Sequence, residues 1–314
     1  MPEVEVPLEK WTGKVNEVRL GGNGRQAVVV GGEATFPFLQ FEGAIPNRPA
    51  VAIEVLDVQP TGWPSQLAAA WGDVLADPAL WAKKAAEYGA DIIALRLKSA
   101  HPEEGDTGAE EAKKTVDKVL AAMDLPLIVL GPDVAEKDNI VLVAASEAAR
   151  GQRIALGNCE EKNYRTIGAA CIADGHVAIA KTPIEINLAK QLNILLCDLG
   201  VSPESILMDP TTGALGYGLE YTYSVMERLR LACLTGDGMT SMPMICTVGE
   251  ESWRQKESKS DIEVPATWGE LEQRALIWEE MTASTLLNAG ADIVVLRHPK
   301  AVEAIKATID KLMG

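Results

Sequence analysis

Eight short apolar runs, rich in β-branched residues and bounded by Gly, Pro or Asp, constrain this chain more than any other feature. They are Ala50–Leu56, Asp91–Leu97, Leu127–Leu130, Arg153–Leu156, His176–Ala180, Ser205–Met208, Pro243–Thr247 and Asp292–Arg297. Each run is nearly continuous rather than alternating, as expected of parallel strands covered on both faces. Amphipathic helical patterns separate them. Asp77-Pro78 reads as an N-cap with proline in the first turn. Thr107 with Glu110, and Thr267 with Glu270, have capping-box spacing. One apolar stripe joins Ile184, Leu188, Leu192 and Leu195, and another joins Val302, Ile305, Ile309 and Leu312.

An internal echo points to repetition. Gly89-Ala90-Asp91-Ile92-Ile93 with Leu95-Arg96 recurs 201 residues on as Gly290-Ala291-Asp292-Ile293-Val294 with Leu296-Arg297. Over six strand steps that is about 33 residues per step, the size of one βα unit. Eight right-handed units close most naturally into a (β/α)₈ TIM barrel over 47–314. The alternative is an open, doubly wound sheet. Residues 1–46 form an N-terminal extension in which Lys14–Leu20 and Gln26–Val30 flank Gly21-Gly22-Asn23-Gly24 as a β-hairpin, placed to plug or cap the barrel floor. Those glycines precede a strand and no helix follows, the reverse of a dinucleotide-binding loop.

The net charge of −16 opposes binding to nucleic acid or an anionic membrane, and fits a cytoplasmic protein able to dock on a basic partner. The start, Met-Pro-Glu-Val-Glu-Val, has no secretory pattern, and no apolar run approaches the ~20 residues that span a bilayer. Cys159, Cys171, Cys197, Cys233 and Cys246 lack the close spacing of zinc or iron–sulfur ligands and read as buried thiols in a reducing compartment, so no metal site is expected.

In such a barrel the functional groups hang from the loops after the strands. Gln59, Asn158 and Asp209 lie on three of these loops. The most pointed loop runs from Asp209 through Thr211, Thr212, Gly213, Gly216 and Tyr217 to Gly218. Its glycines and hydroxyls can turn several donors toward a phosphate or a carbonyl-rich ligand; equally, they suit a long helix entry. Gly249 to Pro265 is long for a connection, which suits a lid, a partner contact or a solvated insertion. His176 opens a strand and belongs at the floor, while His101 and His298 lie at the correct end as solvated side chains. No acid–base pair or catalytic triad can be argued, so no catalytic residue is assigned.

Phe36-Pro37-Phe38 through Pro49–Val55, the Gly157-Asn158-Cys159-Glu160 turn and the Asp209–Gly218 loop resemble the small subunit of the corrinoid/iron–sulfur protein of the anaerobic acetyl-CoA pathway. This family is also the delta subunit of the CO dehydrogenase/acetyl-CoA synthase complex, and the resemblance covers essentially the whole chain. It implies a barrel related to pterin-binding methyltransferases, paired with a large subunit that carries a 4Fe-4S cluster. A corrinoid held between the two subunits would pass a methyl group from the methyltetrahydrofolate methyltransferase to acetyl-CoA synthase. Asp174-Gly175-His176 approaches a lower-axial-ligand motif, but position 179 is isoleucine where the motif has glycine. Gln59, Asn158, Thr211 and Thr212 are the expected corrinoid anchors at the mouth. A methyltetrahydropterin:corrinoid methyltransferase acting alone, and a purely structural partner, are the rival readings.

Overall fold

The computed structural model describes residues 7–314. The first six residues, which carry the reading against a secretory leader, lie outside the described residues. Strands β1 (Val18–Gly21) and β2 (Ala27–Val30) form an antiparallel hairpin. The chain then alternates: β3 (Ala50–Leu56), α1 (Ser65–Trp71), α2 (Pro78–Glu87), β4 (Ile92–Arg96), α3 (Ala109–Ala122), β5 (Leu127–Leu130), α4 (Ala135–Ala148) and β6 (Ala155–Cys159). It continues through α5 (Tyr164–Asp174), β7 (Val177–Lys181), α6 (Ile186–Leu199), β8 (Ile206–Asp209) and α7 (Leu219–Leu234). The last elements are β9 (Met244–Cys246), α8 (Val248–Arg254), α9 (Leu271–Asn288), β10 (Ala291–Leu296) and α10 (Pro299–Met313). Strands β3 to β10 are parallel and close into a barrel, with β10 beside β3. The eight expected strands are all present, and the open sheet is excluded.

Alternation along each strand divides the core in two. Val51, Ile53, Val55, Ile93, Leu95 and Val129 pack outward against the helices. Ala52, Ile92, Ala94, Ile128, Ile179, Leu207, Ile293 and Val295 share a separate cluster inside the barrel. Val18, Leu20 and Val30 of the hairpin complete that inner cluster, so the extension plugs the floor. Its backbone is tied there as well: Gly21 N–H donates to Arg153 C=O (3.0 Å), Gln26 to Asp124 (2.9 Å) and Asn16 to Ser241 (2.7 Å). A side chain at Gly21 would strike the Gln26 carbonyl and Pro126, and its φ of 76° suits glycine.

The repeat units also match chemically. Asp91 accepts the amide of Val51 (2.9 Å), and its counterpart Asp292 accepts that of Met244 (2.7 Å), each stitching a neighbouring strand at the floor. His176 is buried at this end, hydrogen-bonded to the Ser146 carbonyl (3.0 Å).

Several local expectations need correction. The α3 start uses Gly108 and Glu111 in place of Thr107 and Glu110, with Gly108 N–H donating to Glu111 (3.3 Å). Thr267 lies in a 3₁₀ turn, and α9 begins after Glu270. Residues 248–254, expected as loop, are the helix α8, because Val248, Ser252 and Trp253 find a buried face between β10 and α9. Asp77 does cap α2, accepting from Ala79 and Leu80. Among the described residues no helix is long and apolar enough to cross a membrane.

Candidate functional site

The inward parity of the strands carries upward to the barrel mouth, where the next inward positions are charged. Glu54 follows Ala50 and Ala52; Arg96 follows Ile92 and Ala94; Arg297 follows Ile293 and Val295. On the far side Lys181 follows Val177 and Ile179, and Asp209 follows Leu207. The apolar interior is therefore roofed by a polar layer.

One half of this layer is built on Glu54. Because β3 lies between β4 and β10, its carboxylate meets Arg96 Nε (2.7 Å) and Arg297 Nε at once. Burial works to raise the Glu54 carboxyl, but Arg297 and then Arg96 outweigh it and hold it at about 2. Arg96 spends its other nitrogens on Asp133 (3.3 Å) and Glu250 (2.5 Å). Arg297 lies over the Trp63 ring at 5.2 Å, and its terminal nitrogens donate to no acceptor among the described residues. Glu279, fully buried on α9, accepts from Arg297 N–H (2.6 Å), Trp253 Nε1 (2.7 Å) and His298 N–H (3.2 Å). Burial pushes its carboxyl up to about 7. His298 is corrected from solvated to buried: it caps α10 by accepting from Lys300 N–H (3.1 Å) and stacks on Trp253. Burial pushes His298 down to about 4, so it is a neutral cap at neutral pH. His101 stands half-buried at the rim of the same half.

The other half centres on Asp133, at φ 65°, which accepts from Asn158 Nδ2 and Lys181 Nζ (2.5 Å). Asp133 thus bridges the two halves through Arg96. Burial raises the neighbouring Asp209 carboxyl to about 6 against the pull of Lys181 and the Thr211 amide (2.9 Å). Thr211, at φ 64°, also donates its hydroxyl to Thr182 C=O (2.6 Å). The Thr182 hydroxyl is buried and has no partner, and that of Thr212 is buried beside the Cys246 thiol. Against Thr182 lies a cavity of about 350 Å³ lined by Glu160, Lys181, Thr182, Leu188, Leu192 and Thr211. The α6 stripe, expected to face the core, thus turns Leu188 and Leu195 toward this cavity.

Of the expected anchors, Asn158, Asp209, Thr211 and Thr212 converge on this half. Gly216 (φ 80°) and Tyr217 are exposed farther along the same loop, with Gly216 beside Trp278 of α9. Gly213 is buried with its amide already donated to Thr222 Oγ1 (2.8 Å), and Gln59 is exposed on the loop after β3, in the Glu54 half. Glu54, Arg96 and Arg297 escaped the sequence reading. Their signal was present: a charge at an inward position of an apolar run, and the arginine that ends both copies of the echo. Among the described residues no group of three or more His, Cys, Asp or Glu side chains is placed to hold a metal ion, and all five cysteines are free.

Residues 17–309 match the family described as the CO dehydrogenase/acetyl-CoA synthase delta subunit. The acetyl-CoA decarbonylase/synthase complex subunit delta of Archaeoglobus fulgidus is 39% identical over 98% of this chain and 70% of its own length. Subunit delta 1 of Methanosarcina thermophila is 37% identical, over 98% and 72%. Among solved structures, a dihydropteroate synthase from Coxiella burnetii in complex with pteroic acid aligns with a TM-score of 0.59 at 15% identity. It covers 95% of this chain and 100% of that one, a likeness of fold alone. By sequence, the chain belongs to the CO dehydrogenase/acetyl-CoA synthase delta subunit family.

Proposed function

We propose that this chain is the delta subunit of an acetyl-CoA decarbonylase/synthase complex and acts there as the non-catalytic small half of a corrinoid methyl carrier. Its partner on this reading is the large corrinoid/iron–sulfur subunit. The methyl group comes from the methyltetrahydrofolate methyltransferase and goes to acetyl-CoA synthase. When bound, the corrinoid supplies the cobalt centre that carries the methyl group. The observation that carries the reading is the buried, unpartnered hydroxyl of Thr182 on a cavity walled by leucines. Buried polar groups are nearly always paired, so such a hydroxyl implies a visitor with donors and acceptors of its own. The amide arms of a corrin are such groups, and the Leu188 and Leu192 wall suits the ring edge.

At about 350 Å³ the cavity lies near the lower end of small-molecule sites, enough for an arm and an edge but not for a whole corrinoid. That supports sharing the cofactor with a second subunit across the mouth. Asn158, Asp209 and Thr211 fix the polar wall, and Gly216 and Tyr217 stand exposed farther along the same loop, open to the second subunit. Gly213 serves by letting the loop close on Thr222. The cluster belongs on this reading to the large subunit, since the cysteines here are free and dispersed. The named relatives are complex subunits, which favours a subunit over a methyltransferase acting alone.

The test is co-purification with the large subunit, followed by the corrinoid absorption spectrum and iron content of each species. Thr182→Val should weaken corrinoid retention by one to two orders of magnitude, about 1–3 kcal/mol, on an unchanged melt. Undiminished retention in that variant, or two separate gel-filtration peaks at micromolar concentration, would refute it.

A further inference from the structure

The Glu54 half of the mouth contains a second cavity, of about 320 Å³, which the proposed function leaves unused. It lies on the loops after β3, β4, β5, β9 and β10, opposite the threonine cavity. Arg297, Trp63, Trp253 and Arg96 form its wall, with Lys98 and Lys259 among its outer residues. We propose that this cavity binds the oxyanion of a small molecule, a phosphate or a carboxylate, in the open fork of Arg297.

The donors and acceptors around it are unequally spent. Arg96 uses all three of its nitrogens on Glu54, Asp133 and Glu250. Those carboxylates are occupied in return, and Glu104 is paired with Lys98 (3.0 Å). Glu103 stands exposed at the edge. Arg297 differs: it is 9% exposed, engages Glu54 through Nε alone, and keeps both terminal nitrogens unspent. A planar fork with two parallel donors matches an oxyanion bidentately.

The fork is also held in place. Glu54 fixes the guanidinium, Trp63 covers one face of it, and Glu279 fixes both the Arg297 backbone and the Trp253 ring. Two fully buried carboxylates are costly, and here both are used to orient the wall of one cavity. Preorganisation of this kind is what binding a charged group requires, because the donors need no reordering on contact.

The experiment uses the chain alone, which leaves the corrinoid reading untouched whatever the outcome. Tryptophan fluorescence is titrated with inorganic phosphate and, separately, with benzoate, each against chloride at matched ionic strength. Saturable binding of either at about millimolar concentration is expected, and the preferred anion identifies the source as phosphate or carboxylate. Arg297→Lys keeps the charge beside Glu54 but removes the fork, and should weaken binding at least tenfold. Should that variant melt early, Trp63→Leu keeps both arginines and should still weaken binding severalfold. Equal affinity in wild type and both variants would reassign the anion to the exposed Lys98, Arg254 and Lys259 and overturn the proposal, as would the absence of saturation with both anions.

Discussion

Replacing Glu54 by Gln keeps the volume and removes the charge on which two guanidiniums close. Arg96 retains Asp133 and Glu250, but Arg297 is left buried with no counter-ion among the described residues. Breaking a buried pair by removing one partner costs about 3–5 kcal/mol. A second route gives a similar figure. Lowering the carboxyl from its usual 4.5 to about 2 corresponds to roughly 3 kcal/mol at neutral pH. With an unfolding entropy of about 2.1 cal/mol/K per residue, 314 residues give roughly 0.7 kcal/mol per degree. The variant should therefore melt about 4–7 °C below wild type at pH 7. The sign with pH is fixed by the depressed value: the stabilisation is complete above about 4.5 and is lost as pH falls toward about 2. Calorimetry of both proteins should thus show a gap that is constant at neutral pH and narrows below pH 4.5. Equal melting temperatures at pH 7, or a gap unchanged down to pH 3, would refute the clamp.

Glu33, raised to about 8 by burial first and then by Asp292, favours its protonated form in the folded state. Wild-type stability should therefore fall as pH rises from about 4.5 to about 8, and chemical denaturation of Glu33→Gln should show a shallower slope, the rest of it left to Asp209 and Glu279. Leu20→Ala removes a fully buried side chain of the floor plug and should cost about 2–5 kcal/mol by denaturant titration, with assembly at the mouth unaffected. Gly213→Ala would set a methyl carbon 2.8 Å from Gly218 O and 3.0 Å from Thr222 Oγ1, for about 1–3 kcal/mol of overpacking. Gly216→Ala meets the Trp278 ring at an ordinary contact distance of 3.7 Å but must adopt φ 80°, so its melt should shift by only about 1 kcal/mol equivalent.

The strands were legible because burial on both faces writes itself as uninterrupted apolar runs, and the floor plug because its glycines sit between two β-rich stretches. The polar wall at Asn158, Asp209 and Thr211 was legible too, since loops after barrel strands are where groups converge. The Glu54 clamp was not. Arg96 and Arg297 are 201 residues apart in the chain and become neighbours of Glu54 only when β10 closes on β3. Each arginine sits locally at an inward position that ends a copy of the echo, but nothing local names Glu54 as the partner the two share. Helix α8 was hidden for a related reason: its few apolar residues are buried by α9 and β10, which lie later in the chain. His298 was misread because capping by an imidazole depends on where α10 begins, which Pro299 marks but does not prove.

The hairpin under the barrel has a consequence for how the molecule is made. Val18, Leu20 and Val30 leave a ribosome more than 260 residues before Ile293 and Val295, which share their seat. Until the final strand emerges, the early hairpin has nowhere to bury its side chains, and the growing barrel stays open along one seam. Contacts of such long sequence separation form slowly. The nascent chain must carry exposed apolar surface until β10 emerges, which makes it a natural client for a holding chaperone.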